Sequence, residues 1–259
     1  MAYRVRFTSY PDADGWLLVV LVGFILACMN YSSNALNQIM DRDIDALQPH
    51  KKNRPIPSGR ISSQEATGLV VILLLITLSL GYSVFGFWFG LLLSTIGVFV
   101  WLYNTPPLRL RMRLIWSNFS MSVPRGALGI IVAYSAFADP LDSRILVPAL
   151  AFGIYVFGCN TFKDYEDYEA DKKMGVRNFC TVYGKEKASQ IVLPFLYIPF
   201  LIFFLSGNNL TLLCLPLSSI MTVILRHNPG LKAQGILIWK LFYLQFGLMM
   251  MLYAVPFLS

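Results

Sequence analysis

The sequence predicts an all-α, polytopic transmembrane helical bundle of about eight spans, and three observations predict it. Of 259 residues, 56% are hydrophobic and 14% charged, and the mean hydropathy is +0.59, well outside soluble globular usage. The apolar residues form continuous runs near the roughly 20 residues a helix needs to cross a hydrocarbon core, not the alternating pattern of a membrane barrel. The charges are sorted into alternate loops. The same composition excludes a disordered tail, a collagen-like repeat, a coiled coil and a disulfide-stapled secreted module.

The first apolar segment, 16–39, follows Arg4 and Arg6. Positive charge ahead of an apolar run also opens signal peptides. This run is too long for that role and no small-residue cleavage site follows, so it reads as a retained span. The second segment, 66–84, contains LVVILLLITLSL, and the third, 87–103, is a short run of about 17 residues. The fourth, 114–138, carries Arg125 in SVPRGALG, and the fifth spans 145–162. The sixth, 189–206, contains IVLPFLYIPFLIFFL. The seventh, 209–225, holds Pro216, and the eighth, 235–257, starts near Lys240, whose long stem suits snorkelling.

Loops 40–65, 104–113, 163–188 and 226–234 hold sixteen of the 21 Lys and Arg, whereas the alternate loops and the termini hold three. Ten of the fourteen acidic residues share the basic side and none falls within a span. By the positive-inside rule the basic, Asp-rich loops face the cytoplasm, and eight spans put both termini outside. The net charge of +7 is thus a property of one membrane face. Cys28, Cys159, Cys180 and Cys214 have no metal-ligand spacing and read as small packing residues, and His50 and His227 are isolated, so zinc chemistry is not expected.

Two acidic motifs leave the membrane on the basic side. In NALNQIMDRDID, Asn37, Asp41 and Asp45 stand at i, i+4 and i+8, which stacks them on one helical face about 6 Å apart. In NTFKDYEDYEAD, Asp164, Asp167 and Asp171 stand at i, i+3 and i+7 and also share a face. Carboxylates so gathered repel unless a cation sits among them, and magnesium characteristically takes one or two carboxylates together with substrate phosphates. The plainer alternative is solvated acids paired with nearby lysines. Around the motifs lie Lys51, Lys52, Arg54, Arg60, Arg109, Arg111, Arg113, Lys163, Lys172, Lys173 and Arg177. Carboxylates, magnesium and surplus guanidiniums together suit a diphosphate. Arg111, Arg113, Lys185 and Lys187 are equally accounted for by topology or by anionic lipid head groups. RPIPSGR is different, because two prolines and a glycine fix a turn that presents Arg54 and Arg60 rigidly.

These motifs resemble the UbiA superfamily of intramembrane prenyltransferases. The resemblance rests on N-x-x-x-D-x-x-x-D at Asn37 to Asp45, RPIPSGRIS at Arg54 to Ser62, YNTPPLRLR at Tyr103 to Arg111 and KDYEDYEADKKMG at Lys163 to Gly175. Order and spacing hold from about residue 25 to 190. It implies one domain over 1–259, with helices around a central cavity that opens to a charged cytoplasmic cap. It further implies two Mg²⁺ ions held by Asn37, Asp41, Asp45, Asp164, Asp167 and Asp171, and a prenyl diphosphate gripped by Arg54, Arg60, Arg109 and Lys163. The acceptor would be lipophilic or aromatic: a quinone precursor, a tetrapyrrole or a glycerol phosphate lipid. Neither nucleic acid nor an obligate protein partner is expected.

The chain departs from the family pattern in four places. The family norm is nine spans, and the one missing here is the first, which often carries an arginine near the diphosphate; Arg4 or Arg6 substitutes for it, or the chain is truncated. Gln38 stands where many members have Asp, a feature of homogentisate-type members. Asp45 and Pro55 are ten apart, as in the phosphoribosyl-transferring branch. Arg109 replaces a lysine, turning a point donor into a fork. The PPLRLR and RG elements lean toward the chlorophyll-synthase and homogentisate branches.

The implied chemistry is ionisation of the allylic diphosphate and capture of the carbocation, with Asp41, Asp45, Asp167, Asp171 and Tyr103 as catalytic residues. Tyr155 and Phe162 either stabilise the cation or merely pack. Arg125, costly inside a bilayer, either faces the cavity to bind the acceptor or diphosphate, or snorkels to the interface. Two other functions remain open: phosphoribosyl transfer to a polyprenyl phosphate, and cation-coupled transport, although transporters usually hold ionisable groups near the bilayer midplane.

Overall fold

A computed structural model describes residues 12–49, 51–227 and 232–257. Arg4, Arg6 and His50 lie outside the described residues. Every regular element among the described residues is helical. Seven helices there are long and apolar enough to cross a membrane: Ala13–Met40, Ser63–Phe85, Phe87–Asn104, Ser143–Lys173, Lys185–Leu205, Asn209–His227 and Ile236–Ala254. They match seven of the eight expected segments. The other, 114–138, is helical from Leu114–Ser122 through a π-helical stretch, Val123–Leu128, into Gly129–Ser135. It misses the seven because it is polar. Four of its polar side chains are turned inward: Ser117, Asn118, Ser120 and Ser122 are buried, while Ile115, Trp116, Phe119 and the charged Arg125 are exposed.

The chain divides into two compact units, an amino-terminal one built on Ala2–Leu110 and Ile131–Pro140 and a carboxy-terminal one built on Arg111–Ile130 and Leu141–Ser259. In the amino-terminal unit, α1 (Ala13–Met40) runs almost directly into the short α2 (Arg42–Ala46) and packs on α3 (Ser63–Phe85) and α4 (Phe87–Asn104). A capping box starts α3: the Ser62 N–H donates to Glu65 Oε2 at 2.8 Å, and the Glu65 N–H donates back to Ser62 Oγ at 3.2 Å. Gly86, at φ 84°, ends α3 and starts α4 with a single residue, a conformation that costs other residues energy. Gly81 keeps the two helices close, since a Cβ there would lie 3.1 Å from Leu93 and 3.4 Å from Phe89.

The carboxy-terminal unit comprises α5 (Leu114–Ser122), the π stretch and the start of α6 (Gly129–Ser135). It continues through α7 (Ser143–Cys159), α8 (Asp164–Lys173), α9 (Phe179–Tyr183), α10 (Lys185–Val192) and α11 (Ile198–Leu205) to α12 (Leu215–His227) and α13 (Lys232–Ala254). Its core gathers Phe152, Tyr155, Phe162, Phe203 and Phe242. The Tyr155 ring stacks on Phe242 at 5.2 Å between centroids, and its hydroxyl donates to Gln245 Oε1 at 3.0 Å. Gln245 in turn donates to Ser218 Oγ at 2.6 Å, which satisfies a polar chain inside apolar surroundings. Tyr155 and Phe162 are therefore core residues, both fully buried. Leu69, Ile72 and Leu75 of α3 and Leu201, Phe204 and Leu205 of α11 stay exposed, as lipid-facing residues do.

Candidate active site

The first acidic motif keeps its register across the break between α1 and α2. The Asp41 N–H donates to the Asn37 carbonyl at 2.9 Å and the Asp45 N–H to the Asp41 carbonyl at 2.8 Å, so Asn37, Asp41 and Asp45 stack as the spacing predicts. Asp41 and Asp45 are each 2% exposed, whereas Asp43 between them faces outward. Asn37 Nδ2 donates to Asp41 Oδ2 at 2.7 Å and to Asn104 Oδ1 at 3.0 Å, and neither bond uses its own carbonyl oxygen. Asn104 is buried in the last turn of α4 next to buried Tyr103. Asn104 lies inside YNTPPLRLR, but no acidic spacing in the sequence marks it as part of the site.

Cations meet each carboxylate of this cluster. Arg54 Nη1 donates to Asp45 Oδ2 at 2.9 Å, and Lys51 Nζ lies 3.8 Å from Asp45 Oδ1. Arg109 Nη2 reaches Asp41 Oδ1 at 3.1 Å and the Met40 carbonyl at 2.7 Å. To do so Arg109 adopts φ 36°, a left-handed conformation that costs a non-glycine residue about 1–3 kcal/mol and is retained where the surroundings enforce it. Its Nε is buried without a hydrogen-bond partner.

Arg60 departs from expectation. It is exposed, and its Nη2 donates to the Asn53 carbonyl at 2.6 Å and its Nε to Ser58 Oγ at 3.2 Å. It staples the RPIPSGR loop, so the loop presents Arg54 rather than Arg60 to the acids. Gly59 makes the turn at φ 75°, with its N–H on the Ile56 carbonyl at 3.0 Å.

The second cluster lies on α8 in the carboxy-terminal unit. Asp164, Asp167 and Asp171 are 4%, 7% and 3% exposed. Asp171 Oδ2 accepts from Asn178 Nδ2 at 2.9 Å, and its Oδ1 lies 3.5 Å from Arg111 Nη2. Arg111 is only 8% exposed. A lipid-facing arginine would not be so enclosed, which corrects its assignment to topology or head groups. Asp164 is attracted by Lys163 and Arg111 and repelled by Asp167 and Asp171, and its Oδ2 is buried with no hydrogen-bond partner. Lys163, half-buried, precedes Asp164 at the start of α8. Asn160, one turn before Asp164 and 2% exposed, has an unpartnered Nδ2 and was missed by the sequence reading. Burial pushes the nearby Cys180 thiol up, which keeps it protonated and inert.

Among the described residues no group of three or more His, Cys, Asp or Glu side chains is assembled as a ready metal cage. Magnesium takes few protein carboxylates and completes its octahedron with phosphate oxygens and water. The orphaned Asp164 oxygen supplies the kind of donor a hard divalent cation takes. Arg125 is exposed on the π-helical stretch, and Lys240 is exposed on α13.

A profile of the UbiA prenyltransferase family matches residues 3–255. The bacteriochlorophyll synthase 33 kDa chain of Rhodobacter capsulatus is 30% identical over 181 residues, covering 67% of this chain and 58% of that protein. The chain therefore spans less than two thirds of the length of that relative. A digeranylgeranylglyceryl phosphate synthase of Sulfurisphaera tokodaii is 25% identical over 235 residues, covering 86% of this chain and 82% of its own. In three dimensions the fold matches a UbiA homolog from Archaeoglobus fulgidus bound to GPP and Mg²⁺, with a TM-score of 0.70 at 18% identity, over 92% of this chain and 88% of that one.

Proposed function

The chain belongs to the UbiA prenyltransferase family, and from that premise we propose that it moves a polyprenyl group from an allylic prenyl diphosphate to a lipophilic acceptor within the membrane. The whole chain acts as one catalytic domain, with its basic loops on the cytoplasmic face. The observation that carries this reading is the burial of five carboxylates, Asp41, Asp45, Asp164, Asp167 and Asp171, at the polar ends of apolar helices. Burying charge is costly, so such groups persist where they have work to do.

Asn37, Asp41 and Asp45 in one unit and Asp164, Asp167 and Asp171 in the other would hold two magnesium ions. When bound, magnesium neutralises charge on the departing diphosphate. The same cation class accompanies GPP in the Archaeoglobus fulgidus homolog, which supports this choice.

Arg54, Arg109 and Lys163 bind the remaining diphosphate oxygens. A guanidinium carries five N–H donors, so Arg54 and Arg109 retain donors beyond their bonds to Asp45 and Asp41, and the unpartnered Nε of Arg109 is one of them. The allylic C–O bond breaks with its electron pair leaving on the diphosphate. The acceptor's nucleophile then closes on the cation and loses a proton. Apolar side chains keep water from competing, and the buried Tyr103 ring stabilises the cation. Arg125 takes a carboxylate or phosphate of the acceptor. The acceptor is a tetrapyrrole, a glycerol phosphate lipid or a quinone precursor, the first two classes being supported by the names of the relatives.

The test uses purified protein, Mg²⁺, labelled prenyl diphosphates of graded length and a host lipid extract, with mass spectrometry of labelled products. Magnesium-dependent pyrophosphate release with one labelled lipid is expected. Turnover only with phosphoribosyl diphosphate and polyprenyl phosphate, or no pyrophosphate at all, overturns the proposal.

A further inference from the structure

The carboxy-terminal unit contains a pocket that the acidic clusters do not use. It has a volume of about 450 Å³ and is lined by Met112, Arg113, Leu114, Ile115, Trp116 and Arg177. Two chain segments form its walls, tied together where the Arg177 N–H donates to the Met112 carbonyl at 3.2 Å. Both arginines are exposed at its rim, and the Arg177 guanidinium makes no hydrogen bond or ion pair to any described residue. The rest of the lining is apolar, and Ile115 and Trp116, each 55% exposed, continue onto the outer face of α5.

We infer that this pocket binds the head group of an anionic membrane phospholipid. Two guanidiniums from separate segments match the oxygens of a phosphodiester, which arginine forks hold with charge-assisted bonds. A tryptophan beside them is suited to the depth where acyl chains meet head groups. Ile115 and Leu114 offer apolar surface to the first methylenes of the chain. A free phosphate would gain nothing from those three side chains, so the lining selects a phosphate that carries hydrocarbon. Diffuse attraction of basic loops to an anionic leaflet needs no pocket and no pairing of Arg113 with Arg177 across two segments.

The site also touches the second acidic cluster indirectly. Arg111, one residue before Met112, faces Asp171, and the Val176 N–H, one residue before Arg177, donates to the Asp171 carbonyl at 2.9 Å. A lipid that joins the two walls therefore steadies both segments that hold Asp171.

Lipid binding at this pocket does not depend on prenyl transfer and is measured without an activity assay. Wild-type protein in mild detergent is titrated with phosphatidylglycerol, phosphatidylcholine and glycerol phosphate, and bound species are counted by native mass spectrometry. One phosphatidylglycerol per chain is expected on the wild type. The double variant Arg113→Gln, Arg177→Gln should bind it roughly tenfold or more weakly, the size expected when charge-assisted hydrogen bonds are lost. Lys185→Gln, Lys187→Gln removes the same charge from the same face and should bind as wild type. Trp116→Ala, which keeps both arginines, should weaken the lipid too. Equal binding by the arginine variant, equal loss in the lysine variant, or glycerol phosphate binding as tightly as the lipid overturns the inference.

Discussion

Among the arginines of the basic face, partner and burial separate roles that charge alone does not. Arg54 and Arg60 flank the same turn, yet Arg54 reaches Asp45 while Arg60 closes its own loop on Asn53. Arg54→Ala should lower kcat/KM for the prenyl diphosphate about 100-fold, the usual cost of one electrostatic contact at a developing charge, whereas Arg60→Ala should cost less than about tenfold. Steady-state kinetics on both variants checks the order; equal losses would put Arg60 on the substrate. Arg111 is buried against Asp171, so Arg111→Ala leaves that buried carboxylate with Asn178 Nδ2 but without its guanidinium, and should cost about 1–3 kcal/mol in stability or a comparable loss of turnover. Thermal unfolding and turnover measured on the same preparation show where the cost falls. Asp41→Ala and Asp167→Ala should each lose about 100-fold in rate at saturating Mg²⁺, and wild-type turnover in either would remove that carboxylate from the catalytic set. The stacking of Asn37, Asp41 and Asp45 was legible because an i, i+4 spacing has one geometric meaning. The roles of Arg109 and Arg111 were not, because LRLR repeats a residue type without saying which acid each will meet.

At the scale of the element, the packing of the π-helical stretch on α7 depends on two glycines. A Cβ at Gly126 would lie 2.8 Å from both Gly153 Cα and the Phe152 carbonyl oxygen, which are backbone atoms that cannot swing aside. Gly126→Ala should therefore destabilise by about 1–3 kcal/mol, the range for overpacking. Gly23→Ala on α1, with nothing within 4 Å, should leave the melting temperature unchanged or raised. A Gly126 variant that melts with the wild type would mean the helices separate without cost. Tyr155 makes the matching case for α7 and α13. Tyr155→Phe leaves the buried Gln245 carbonyl oxygen without its donor, so stability should drop by about 1–3 kcal/mol while kcat stays within about twofold. Loss of kcat with stability intact would return Tyr155 to the chemistry. The apolar runs announced these helices, but nothing in a single sequence says that SVPRGALG forms a π-helical turn or that Gly126 meets Gly153. Both are consequences of partners distant in the chain.

For the whole molecule, topology turns on residues 114–135, the segment whose composition is least like a span. Its helical and π-helical residues together are about 22, or about 33 Å at 1.5 Å per residue, enough to cross. Its low hydropathy comes from Arg125, Asn118 and the serines; Ser117, Asn118, Ser120 and Ser122 are buried in protein, and a hydropathy reading cannot tell a buried polar residue from a lipid-facing one. If the segment crosses, the basic loops that carry Arg54, Arg111 and Lys163 share one side. If it does not, the 40–65 and 163–188 loops fall on opposite sides, and the sorting of sixteen against three positive charges has no explanation. The native cysteines make this testable, since Cys28, Cys159, Cys180 and Cys214 are all free and buried and so give little background with a membrane-impermeant maleimide. Ser58→Cys lies in the exposed RPIPSGR loop, and Leu141→Cys replaces a residue 73% exposed on the segment between α6 and α7. In spheroplasts of an expression host the reagent should label Leu141→Cys and spare Ser58→Cys, and in inverted vesicles the pattern should reverse. Labelling of both from one side would mean that 114–135 does not cross, and the carboxylates of the two clusters would then face different compartments, where they cannot serve a single diphosphate.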